Sequence, residues 1–147
     1  MGRGAAPNPR RASQAGTLSA FLDTNVLIRH LTGDPPKLAA RATAILTEAG
    51  PLLLADLILA ECVYVLESFY EVKPASIAEL MRSALAMPNI ETVDTGLLLR
   101  ALEVYEIDRL DFAEAYLVAQ AETTGVGEIV SFDRSIDRIT SITRREP

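Results

Sequence analysis

Carboxylates stand at four places in this chain where their setting is either costly or chemically useful. In FLDTNV, at 21–26, Asp23 follows two large apolar residues at the point where a strand leaves the core. In EIVSFDRSID, at 128–137, apolar Ile129 and Val130 lead through Ser131 and Phe132 to Asp133, and strand alternation puts Ser131 and Asp133 on one face. Within LILAECVYVLESF, Glu61 is the only charged residue among the ten from Leu57 to Leu66. Its helical neighbours are Leu57, Ile58, Tyr64 and Val65, so the spacing predicts a carboxylate turned toward the core, where an unpaired charge is expensive. In RLDFAEAYLVAQAE, Asp111 and Glu114 share a face at a helix start.

Each acid has a structural use of its own. Asp23, Asp133 and Asp111 suit helix N-caps, Asp111 with Glu114 reads as a capping box, and Glu61 can belong to a buried ion pair. Together they say more. A parallel α/β layout brings strand ends and helix starts to one edge, where ligands bind. Carboxylates gathered there cannot all stay ionised without cations between them, and hard oxygen donors select Mg²⁺ or Mn²⁺ over zinc.

The elements that must position these acids are legible in the pattern. Residues 1–17 are rich in Gly, Pro, Ala and Arg without apolar period, which predicts a disordered basic arm, with the domain occupying 18–147. From Leu18 on, short apolar strands alternate with longer helical segments, which predicts an α/β domain with a mainly parallel sheet. Strands are expected at Ser19 to Asp23, Leu52 to Ala55, Ile90 to Val93, Glu128 to Phe132 and Ile139 to Ile142. Helices are expected near Asn25 to Leu31, Pro36 to Ala49, Asp56 to Tyr70, Pro74 to Ala86, Thr95 to Glu106 and Asp111 to Thr124.

Composition excludes several function classes. With 147 residues the chain makes one domain, and its net charge of −6 with a pI near 4.8 argues against simple DNA binding. An aromatic share of 5% gives no stacking platform for bases. The single cysteine, Cys62, makes neither an intramolecular disulfide nor a cysteine-rich zinc site, and its apolar surroundings read as core packing. No apolar run reaches a membrane span and no secretory signal opens the chain, so a cytoplasmic protein is expected. Lys37 and Lys73, the only lysines, lie away from the strand ends, which argues against a receiver-type phosphotransfer domain.

LDTNVLI at 22–28, the AE of LAEC at 59–62, LDFAEAYLVAQA at 110–121 and SFDRSID at 131–137 occur in an order that resembles the PIN-domain metal-dependent ribonucleases, most closely their VapC-type toxins of prokaryotic toxin–antitoxin pairs. The resemblance covers about residues 19–142. It implies a three-layer α/β/α fold and hydrolysis of RNA phosphodiesters with Mg²⁺ or Mn²⁺ held by Asp23, Glu61, Asp133 and an acid of the DFAEA segment. That acid is Asp111 or Glu114; many members carry Asp where this chain has Glu114. Thr24, Asn25 and Ser131 would orient the carboxylates rather than bind metal. The resemblance further implies a homodimer, and a cognate antitoxin whose tail would lie in the active-site groove and which apolar surface on the helices near Pro36 to Ala49 and Asp56 to Tyr70 would serve. Arg29, Arg109, Arg134, Arg138, Arg144 and Arg145 are the candidates for phosphate contacts. His30, the only histidine and expected on the surface, excludes a histidine-pair mechanism. The alternative is a catalytically inactive PIN-like module acting in RNA or protein binding, which expects an incomplete set of acids.

Overall fold

Parallel strands, all but the last leading into helix, set out the architecture of the computed structural model, which describes residues 20–147. The predicted basic arm at 1–17 lies outside the described residues, as do Leu18 and Ser19. β1 (Ala20–Phe21), β2 (Leu52–Leu53) and β3 (Ile90–Glu91) form one sheet in the order β1-β2-β3, with Ala20 opposite Leu52 and Leu52 opposite Ile90. β4 (Glu128–Val130) and β5 (Thr143–Arg145) form a second parallel pair. The last strand thus falls beyond the expected Ile139 to Ile142. Ile139 and Ile142 are buried instead, and Thr143 to Arg145 supply the paired backbone. An apolar run identified the hydrophobic anchor of this segment, not its ladder.

The helices are α1 (Thr24–Thr32), α2 (Pro36–Glu48), α3 (Asp56–Ser68), α4 (Pro74–Leu85), α5 (Thr95–Glu103) and α6 (Phe112–Thr124). Proline at the first position of α2 and α4 loses no helical hydrogen bond. α1 and α6 stop at Gly33 and Gly125, whose φ of 71° and 73° a side chain would resist. α5 starts on Asp94, whose carboxylate accepts from the Leu97 amide at 3.0 Å. It ends three residues short of the expected Glu106, passing into a π-helical turn, Val104–Asp108, that closes on Arg109 in the left-handed conformation at φ 58°. Such turns and positive-φ side chains cluster at functional sites.

One continuous core joins the strands to both sets of helices, with Leu27, Leu54, Leu59, Leu66, Met81, Leu98, Leu102 and Ile136 fully enclosed. α5 packs along α6, and a bidentate ion pair ties them: Arg100 Nε and Nη2 donate to Glu122 at 2.8 and 2.9 Å, while Ser141 Oγ donates to the same carboxylate at 2.6 Å. The Arg100 hydrogen bonds first, and the Ser141 bond in addition, hold the Glu122 carboxyl below its usual value near 4.5 against a desolvation that opposes them. A lowered folded-state pKa stabilises above the unfolded value, and that stability disappears as pH falls through the folded value. Glu122→Gln is therefore expected to cost about 1 kcal/mol at pH 7 and nothing below the carboxylate range, measured by urea unfolding at the two pH values. No helix among the described residues is long and apolar enough to cross a membrane.

Candidate active site

Asp23 and Glu61 meet through the residues between them. Asp23 follows β1 and makes no side-chain capping bond to α1, so its carboxylate is not committed to the helix it precedes. The next residue, Thr24, is the only polar residue in the buried class among the described residues, at 5% exposure, and its Oγ1 donates to Glu61 Oε2 at 2.5 Å. Cys62 Sγ lies 4.0 Å from the Thr24 carbonyl. Burial first, then Glu61, then Asp23 push the Cys62 thiol up to about 12, so both carboxylates act on one sulfur from close by. A thiol so placed is inert packing, not a nucleophile.

Glu61 does not face the core. It is exposed, and so are its helical neighbours Leu57 and Tyr64, whereas the buried side of α3 is Leu59, Cys62, Val63 and Leu66. The reason is that α3 is apolar on both sides, so spacing alone gives no direction to the core. The outcome suits chemistry better than the expectation did. Glu61 reaches solvent while Thr24 holds one of its oxygens.

Asp133 sits three residues beyond β4. Its Oδ1 accepts from the Ser135 amide at 2.9 Å, and Ser131 Oγ receives the Asp133 amide at 2.9 Å. The Ser135 hydrogen bonds, aided by Arg138 and Arg144, hold its carboxyl below the usual aspartate value and keep it an anion. The same Arg138 donates to the carbonyls of Asp108 and Arg109 at 3.2 and 3.1 Å, which fastens the Asp133 segment to the turn before α6.

α3 and α6 pack together, and two ties fix their relation. Tyr116 donates from its hydroxyl to Asp56 Oδ2 at 2.5 Å near the start of α3. Asp111 lies at the other end of α3, where it shares a hollow with Glu67 and Tyr105. The helices therefore run antiparallel, and in sequence both Glu61 and Glu114 fall between the ties. Asp111, like Asp23, makes no side-chain cap bond and is exposed; Glu114 is half-buried one turn into α6. Asn25 lines a separate apolar hollow of about 880 Å³ between α1 and α2, with Val26, Arg29, Leu38, Arg41 and Ile45.

Two further polar positions escaped the sequence reading. Asp56 does not cap α3 as its place suggests. One of its oxygens takes the Tyr116 hydroxyl while the other is buried without a partner among the described residues. Tyr105 is the second, since nothing in its local sequence marks the π-helical turn that aims it.

The model of the PIN domain matches residues 20–141. The chain is a member of the PIN-domain family. No curated protein gives a significant match to it. The PIN fold is the three-layer α/β/α arrangement the sequence pointed to, and PIN domains are typically nucleases that use divalent metal ions. Among the described residues no three acidic side chains of this PIN domain converge closely enough to cage a cation. The donor chemistry still fits Mg²⁺, which dehydrates reluctantly and is commonly held by one or two carboxylates, several waters and the substrate's phosphates. Asp23 and Glu61, linked through Thr24 and free of ion pairs in the described residues, are that kind of donor set.

Proposed function

We propose that this PIN domain is a Mg²⁺- or Mn²⁺-dependent endoribonuclease and the toxin of a toxin–antitoxin pair. The observation that carries the nuclease reading is the Thr24–Glu61 hydrogen bond beside an uncapped Asp23, which holds one carboxylate and leaves the other uncommitted where a strand ends. Asp23 and Glu61 would hold the metal directly, with Asp133 and with Asp111 or Glu114 from α6 acting on it through its waters. When bound, the cation supplies activation of water and charge neutralisation at the phosphodiester. The chain's own residues do the positioning. Thr24 fixes the Glu61 carboxylate, Ser131 fixes the backbone that carries Asp133, and Arg138 keeps that backbone against the start of α6.

The arginines sort themselves by their partners. Arg144 is committed to Asp137, Arg145 to Glu128 and Arg138 to two carbonyls, while Arg29 donates to the Asp34 carbonyl. Arg109 and Arg134 carry no ion pair among the described residues and are the better candidates for RNA phosphates. For the antitoxin, the apolar hollow between α1 and α2 begins at Asn25, next to the acids, and exposes Leu38 and Ile45 with Arg29 and Arg41 at hand. A scaffold role is the competing reading.

RNA incubated with the protein is expected to be cut with Mg²⁺ or Mn²⁺ and left intact with a chelator. Binding without metal-dependent cleavage of any RNA would instead favour the scaffold. Growth arrest on expression, relieved by the product of a neighbouring small gene, tests the toxin role. Thr24→Val removes only the hydroxyl that holds Glu61. It is expected to weaken Mn²⁺ binding, followed by calorimetry, by roughly 10–100-fold, as loss of a supporting hydrogen bond does at metal sites, while Thr24→Ser keeps it.

A further inference from the structure

The hollow at the end of α3 is built for a ligand. It measures about 410 Å³ and is lined by Glu67, Lys73, Pro74, Ala75, Tyr105, Glu106, Arg109, Leu110 and Asp111. Tyr105 is 2% exposed, yet its hydroxyl has no partner at hydrogen-bonding geometry among the described residues. Burial first, and the neighbouring Glu67 carboxylate next, keep that hydroxyl protonated and so a donor. A buried donor left without a well-formed hydrogen bond is costly, and the Glu67 carboxylate beside it does not complete one, which leaves the hydroxyl free to donate to another acceptor. Glu67 is exposed and lines the same hollow as Tyr105.

The charges exclude a simple anion site. Lys73 and Arg109 line it together with the carboxylates of Glu67 and Asp111, while Glu106 is already bound to Arg82 at 2.6 Å. What remains is a donor, Tyr105, beside an acceptor pair, the Glu67 carboxylate, over apolar walls of Pro74, Ala75 and Leu110. A nucleobase has the matching character, with flat apolar faces and an edge of mixed donors and acceptors. Among the four RNA bases only guanine presents an acceptor, O6, followed by two donors, N1–H and the exocyclic amine. Adenine, cytosine and uracil would each set a lone pair against the carboxylate. One of its lining residues, Arg109, has a positive φ, and Arg138 bonds its carbonyl from the Asp133 segment.

We propose that this hollow receives an unstacked guanine of the RNA next to the cleaved phosphate, with Glu67 accepting from N1 and the amine and Tyr105 donating to O6. This rests on the nuclease reading for its biological meaning, but not for its chemistry. Asp111, which also lines the hollow, is one of the acids proposed above for the metal, and Arg109 would meet the adjoining phosphate.

The test titrates the full chain with GMP, IMP and AMP, followed by NMR shifts, and in parallel maps cleavage of single-stranded RNAs in which each guanine is replaced in turn. GMP is expected to bind about tenfold more tightly than AMP or better, in line with one good bidentate base contact, with IMP, which lacks the amine, in between. Glu67→Gln is expected to erase the preference without loss of fold, and Tyr105→Phe, which removes only the unpaired hydroxyl, to reduce it. Equal affinities for the three nucleotides, or a preference that survives Glu67→Gln, would overturn the proposal. Guanine-selective binding with no RNA cleavage would keep the base site and sink the nuclease. Cleavage indifferent to guanine, with no nucleotide preference, would keep the nuclease and sink the base site.

Discussion

Replacing Asp23 by Asn, or Glu61 by Gln, is expected to lower metal-dependent RNA cleavage by roughly two to three orders of magnitude, the scale of losing one preorganised electrostatic partner in an active site. The fold should not suffer. Asp23 makes no capping bond, and Glu61 is exposed with only the Thr24 hydroxyl upon it, a bond that the amide oxygen of Gln can still accept. Melting temperatures within a few degrees of the parent are therefore part of the prediction. Because the two carboxylates would serve one cation, their effects should not add, and the double variant is expected to be little worse than either single one. Full metal-dependent activity in either variant would remove this pair from the site. The same assay applied to Asp111→Asn and Glu114→Gln distinguishes the two candidates on α6.

Leu66→Ala is expected to do the opposite. Leu66 is fully enclosed on the buried side of α3, beside Leu59, Cys62 and Val63, and its carbonyl receives the Val72 amide at 2.9 Å. Truncation leaves a cavity in a close-packed core and should cost about 2–5 kcal/mol. For a domain of this size the melting temperature should fall by roughly 10 °C. At temperatures where the variant stays folded, cleavage should remain near the parent rate, since Leu66 is buried in the core whereas Glu61 is exposed. A melting temperature unchanged within a degree would mean that α3 is not packed as described, and the placement of Glu61 would fall with it.

The legible part of this protein was the order of its elements. Proline at the starts of α2 and α4, glycine after α1 and α6, and the alternation of short apolar runs with helical periods fixed segments that the structure reproduces closely. Where local patterning carried two messages, it misled. α3 is apolar all round, so the position of Glu61 could not be read from its neighbours, and the Ile139 to Ile142 run marked buried anchors next to a strand. The insertion that turns the end of α5 into a π-helical turn left no signal in residue type, yet it is what aims Tyr105 into the hollow.

By itself the sequence determined which residues are acids with no good reason to be where they are, and in what order they follow the strands. Composition and periodicity are local properties, and they suffice for that. Only the tertiary structure decided which of these acids have company. Thr24 reaches Glu61 across 37 positions of chain, Arg138 reaches the Arg109 carbonyl across 29, and Tyr116 reaches Asp56 across 60. Such pairings follow from how helices cross over a shared core, which no window of neighbouring residues contains. The acid in FLDTNV was visible from the start; that its neighbour Thr24 holds the Glu61 carboxylate beside it became visible only in the fold.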